Sequence, residues 1–201
     1  GVSVNAAGGA WGSFDDFYLY QVNVPVAPIA PSDTTGLFTP IETKTIREII
    51  GAVKTTSSVE GVETTVRGVY HTPNLPGCAI VTAQSDIAQA FGLGNNEKPY
   101  AKIMETDAKK STKAMVSLEA GAKAVGGQIG PCVNIELGKM SNGTYSLLPS
   151  EGATSQITLG IPANFLDENS KYAVVGVRTG GVITTYEDLD SNAKTVTFAT
   201  T

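Results

Sequence analysis

The chain has 201 residues, enough for one or two domains with a well-buried core. Charged residues make up only 16% and the formal net charge is −5, a balance with no electrostatic attraction to nucleic acid or an anionic membrane. No apolar run is long enough to cross a bilayer as a helix; the longest, such as Tyr172 to Val175, are strand-sized.

The chain opens on Gly1, with neither an initiator Met nor a signal-like apolar stretch. A lone glycine is what a protease-cleaved tag leaves, and the expectation is that a natural signal peptide has been removed. "FDDFYLYQVNV", residues 14–24, is aromatic-rich and partly alternating, so it reads as a strand. Pro25, Pro28 and Pro31 then crowd residues 25–36 and predict an extended connector. In "TKTIREIIGAV", Ile46, Ile49, Ile50 and Val53 form one helical stripe, and Thr45 with Glu48 has capping-box spacing. "ETTVRGVY" and "CAIVTA" read as strands separated by the turn-rich "HTPNLPG". "SDIAQAFGLG" predicts a short helix, with Ile87 and Phe91 stacked and Gly92 or Gly94 as the left-handed cap. "PYAKIMET" returns as a strand. Met115, Leu118, Ala122 and Val125 share one face of a helix over 113–125, which Gly121 weakens and Gly126-Gly127 ends.

From residue 132 the period is two. Val133, Ile135 and Leu137 point one way, and Cys132, Asn134 and Glu136 the other. Asn142-Gly143 is a strong hairpin signal. "QITLGIP" alternates until Pro162, "YAVVGVR" and "VITTY" flank the Gly180-Gly181 turn, and "EDLDSNAK" leads into "TVTFAT". Strands about ten residues apart with turn chemistry between them predict an antiparallel sandwich or barrel.

These C-terminal pieces carry a family likeness. Asn142-Gly143, "LGIP" at 159–162, Tyr172 to Arg178 and Asp188 to Phe198 together resemble an immunoglobulin-like β-sandwich module of secreted and cell-wall proteins of Gram-positive gut bacteria. The likeness covers roughly the last third of the chain. It implies repeated stalk or display units and brings no catalytic residues. Family members continue into one more strand, whereas this chain stops at Thr201, so a segment such as Phe14 to Val24 is a candidate to fill the edge.

Chemistry-bearing residues are few. His71 is the only histidine, so any Ser-His-Asp or Cys-His arrangement must use it, with Cys78 just beyond the turn. The reading taken is a surface turn histidine and a buried strand cysteine. Cys78 and Cys132 are too few for a disulfide framework and read as small buried hydrophobes. Asp15 and Asp16, beside Tyr18 and Tyr20, match the composition of a glycan-binding groove, against the simpler reading of an aromatic strand with an acidic start. "WGSFDDF" is also similar to the closing strand of some jelly-roll carbohydrate-binding modules. Asp188, Asp190 and Asn192 have the spacing of the first ligands of a calcium loop. Ala193 and Ala199 stand where such a loop needs Gly and Glu, leaving at most a weakly binding calcium site, or hairpin residues that bond their own backbone. The Asn142-Gly143-Thr144 sequon is explained by the turn.

The expectation is a mainly β chain. Residues 113–201 form an antiparallel immunoglobulin-like sandwich and residues 1–112 a smaller α+β or β-sandwich unit, with one merged domain as the alternative. The expected role is a non-catalytic structural or adhesive module, extracellular or cell-wall-attached, without a cofactor. Its expected partners are neighbouring domains of the same surface protein and a glycan or host protein, with no nucleic acid and no membrane insertion. The alternatives are a carbohydrate-binding module using Phe14–Tyr20 and a hydrolase using His71.

Overall fold

The computed structural model describes residues 56–178 and 182–201 in full and residues 17–22 as backbone. The strands are β1 (Phe17–Val22), β2 (Ser58–Val59), β3 (Val62–Glu63), β4 (Arg67–His71), β5 (Cys78–Ile80), β6 (Glu97–Thr106), β7 (Ile129–Ser141), β8 (Thr144–Leu147), β9 (Ser155–Gly160), β10 (Lys171–Val177), β11 (Ile183–Glu187) and β12 (Thr195–Thr200). Two helices are described, α1 (Gln84–Ala90) and α2 (Thr112–Ala124). The connector at 25–36 and the helix expected at 43–53 lie outside the described residues, as do Asp15 and Asp16.

Alternation decides the layers. In β7, Val133, Ile135 and Leu137 are buried in the main core, while Cys132 points to the other face of the same sheet. Its neighbour β6 runs antiparallel, so Ile103 lies opposite Ile135 and Lys102 opposite Glu136. Opposed residues share a face. A large sheet follows, in the order β11–β10–β1–β7–β6–β4, with β8 paired to the far end of β7. A second sheet, β12–β9–β5, stacks on its inner face. Tyr70, Ile103 and Ile135 from the large sheet meet Ile80, Leu159 and Phe198 from the small one in a single cluster. Burying a side chain such as Phe198, which is fully enclosed, contributes roughly 1.5–3 kcal/mol.

Helix α2 covers the outer face. Ala114, Met115, Leu118 and Ala122, with Val125 just beyond its end, pack against Cys132, Val175 and Val177. Gly121 is accommodated within α2, and an added Cβ would lie in ordinary contact, 3.5 Å from Val175. Gly126 (φ +66°) closes the helix as expected, with Gly127 N–H donating to the Ala122 carbonyl at 2.8 Å. Helix α1 ends the same way at Gly92 (φ +60°).

Two expectations are revised. The strand read over 63–70 is split into β3 and β4, and β4 pairs with β6 in parallel, not antiparallel. Strand β1 does not fill an edge, because β10 pairs on one side of it and β7 on the other. Strands from either side of residue 112 share one sheet and one core. The two cysteines lie on opposite faces of the large sheet, buried and outside any disulfide.

Candidate functional site

A groove of about 1300 Å³ lies beside β10 and β11, walled by the 166–171 turn and the 188–195 loop. Tyr172, Ile183 and Val125 give it apolar surface, and Glu168, Glu187 and Lys194 line it as well. The calcium-like trio stands on its wall, and the loop itself uses their oxygens. Asp188 Oδ1 accepts the N–H groups of Asp190 (3.1 Å) and Thr197 (3.0 Å). Asp190 Oδ1 accepts Asn192 N–H (2.7 Å), and its Oδ2 accepts the hydroxyls of Thr195 (3.0 Å) and Thr197 (2.6 Å). Asn192 Oδ1 accepts Lys194 N–H at 3.0 Å. These are side chains closing turns on their own backbone. Partial burial raises the Asp188 carboxyl above its ordinary range, the charge of Asp190 adds to that, and the backbone N–H groups of Thr197, Asp190 and Leu189 oppose it. Among the described residues, no three His, Cys, Asp or Glu side chains cluster closely enough to hold a metal ion.

A second polar cluster lies at the C-terminal ends of the parallel pair β4–β6. His71, expected on a surface turn, is 6% exposed. The correction has a plain cause: β4 runs beside β6 to its last residue, with His71 opposite Met104. Burial lowers the His71 pKa below its ordinary value, Lys110 lowers it further, and Glu105 acts in the opposite sense. Glu105 is itself buried. Its carboxylate accepts the Asn74 N–H (2.6 Å), the Asn74 Nδ2 amide (2.7 Å) and the Leu75 N–H (3.0 Å). His71 Nδ1 and Thr72 Oγ1 are buried without a hydrogen-bond partner. Cys78, which sequence spacing had offered as a partner for His71, is fully enclosed, and burial pushes its thiol far above the usual range.

Sequence reasoning missed a third group. Lys102 and Glu136, opposed on the outer face of the large sheet, are both buried. The ammonium lies 3.8 Å from Glu136 Oε2 and 3.8 Å from the Tyr145 ring centroid, a cation–π arrangement. The Tyr145 hydroxyl donates to Glu136 Oε2 at 3.4 Å, and burial, with Glu136 alongside, raises its pKa. Charges inside otherwise alternating strands were the available signal, but they read locally as solvent-facing positions.

No family model, curated protein or solved structure matches the chain. Function therefore rests on the arrangement of its own residues. Of the glycan-binding candidates, Asp15 and Asp16 lie outside the described residues. Tyr18 and Tyr20 occupy backbone positions opposite Val175 and Ala173 in a strand paired on both sides.

Proposed function

We propose that the protein is a non-catalytic extracellular module, structural or adhesive, whose contact face is the groove beside β10 and β11. The observation that carries this reading is the state of its reactive groups. The thiol of Cys78 is enclosed and held protonated, and His71 lies in the interior. The acids of the 188–195 loop hold turns together. An enzyme needs such groups convergent in a pocket open to substrate. The antiparallel strands 129–200 fit the immunoglobulin-like sandwich implied by the sequence likeness, and with it a place in a bacterial surface or secreted protein beside neighbouring domains.

The test is adhesion. Beads coated with the protein are measured for retention on immobilised host-surface glycans and matrix proteins, alongside beads carrying Glu168→Lys/Glu187→Lys. Retention that the double variant loses is the expected result. Retention no greater than that of bare beads, together with turnover of an ester, glycoside or peptide substrate that His71→Ala abolishes, would sink the reading.

A further inference from the structure

Strand alternation decides what the groove beside β10 and β11 offers. Ile183, Thr185 and Glu187 stand opposite Val177, Val175 and Ala173. Val175 and Val177 pack against α2, so all six positions belong to the outer face of the large sheet. Helix α2 stops at Ala124, and Val125, the residue at its C-terminal cap, is part of the groove wall. The groove thus lies on the outer face at the C-terminal end of the helix, bounded by the 166–171 turn and the 188–195 loop.

Its charge is one-sided. Among the described residues, Asp167, Glu168, Glu187, Asp188 and Asp190 line it against Lys171 and Lys194. Asp188 and Asp190 close turns, and Asp167 does the same, accepting the Asn169 N–H at 3.0 Å and the Ser170 hydroxyl at 2.8 Å. The donors in these bonds are neutral, so the bonds bring no counter-charge. Glu168 and Glu187 are exposed and take no part in the turn bonds of either wall. A helix C-terminus carries about half a negative charge, and that of α2 ends on this wall. The acids are spread out: no three of them converge closely enough to hold a metal ion. The volume, about 1300 Å³, exceeds the roughly 300–1,000 Å³ of small-molecule pockets. Spread negative charge beside the apolar surface of Val125, Leu166 and Ile183 suits side chains with apolar stems and cationic ends.

We propose that the groove takes a Lys- or Arg-rich peptide segment of a partner protein, its aliphatic parts laid on Val125, Leu166 and Ile183 and its charged ends set among Glu168, Glu187 and the acids of the 188–195 loop. This rests on the reading of the groove as the contact face, and narrows that face's partner to a basic protein. Charge of this kind selects the partner and speeds encounter more than it tightens the complex.

The test titrates the full chain into a short dansyl-labelled peptide of alternating Lys and Val, and into its Glu/Val and Gln/Val counterparts, read by fluorescence anisotropy. The Lys peptide is expected to bind, the Glu peptide not to bind, and the Lys complex to weaken as salt rises from about 0.02 M to about 0.5 M. Glu168→Gln/Glu187→Gln is expected to weaken it about fivefold, as two exposed charge pairs together would. Glu60→Gln/Glu63→Gln removes the same charge from the β2–β3 hairpin, outside the groove, and is expected to leave the affinity within about twofold. Amide shifts on adding the Lys peptide should move at Ile183 and Thr185 and stay fixed at Ile103, in the centre of β6. Equal binding of the Lys and Glu peptides, equal losses in the two double variants, or shifts that bypass Ile183 and Thr185 would each overturn the cationic partner. The probe is a free peptide, so such a failure leaves bead retention, and with it the adhesive reading, intact. Absent bead retention beside intact peptide binding would strike the adhesive reading and keep the groove's ligand.

Discussion

At the residue scale, burial changes what a side chain does more than its identity does. His71 is the plainest case. Its folded pKa lies below the ordinary value, so in the interval between them the unfolded chain binds a proton that the folded chain refuses. Stability therefore rises with pH through that window. The contribution is complete above the ordinary histidine pKa and is lost as pH falls from there through the depressed folded value. The urea midpoint of the parent protein is expected to drop from about pH 7.5 to about pH 5 by more than that of His71→Phe; parallel curves would show that the imidazole stays neutral in both states. The 188–195 loop makes a different case, because its acids already have donors. Asp190→Ala strands two threonine hydroxyls and an N–H and is expected to cost about 1–3 kcal/mol in urea denaturation. Excess calcium is expected to leave the thermal midpoint of the parent unchanged, and a clear rise would make the loop a cation site after all.

At the element scale, local pattern and long-range partner separate cleanly. The α2 stripe was legible because one helix face is a local property: Met115, Leu118 and Ala122 recur at its period and all are buried. Asn142 (φ +48°) and Gly143 (φ +79°) were legible as a hairpin because left-handed backbone selects those residues. Leu118→Ala is accordingly expected to cost about 2–5 kcal/mol, while Val116→Ala, 64% exposed, stays within about 0.5 kcal/mol. Chemical denaturation of the pair checks the orientation, and equal losses would mean that the helix faces the other way. What the sequence hid was pairing. Nothing in Arg67–His71 announces a parallel neighbour 33 residues downstream at Tyr100–Met104. The Lys102–Glu136 pair was hidden for the same reason, since each charge was seen without the strand opposite.

At the scale of the whole molecule, a mainly β chain packed from more than one sheet was anticipated, and the sharing of strands across residue 112 was not. Antiparallel alternation after residue 132 implied a sandwich, but composition shows no linker, and the structure uses none near residue 112. Strand β6 supplies one flank of β7 along ten residues, Cys132 to Ser141, and β5 completes the small sheet against β9. A fragment 113–201 would expose the inner faces of both sheets. It is expected to lack a cooperative thermal transition, whereas far- and near-ultraviolet circular dichroism of the whole chain should lose signal together in one. A fragment that melts sharply by itself would support a division at residue 112. The sealed cysteines, one on each side of the large sheet, fit the same picture of a body assembled from sequence-distant parts.

Strand β1 has a mechanical consequence. Its ladders to β10 and β7 run across the strand on both flanks, and such bonds lie perpendicular to the chain. Tension applied at Phe17 along the strand loads both rows at once, in shear, so they yield together and not one rung at a time. A pull from the N-terminal side would thus meet an element anchored on both flanks.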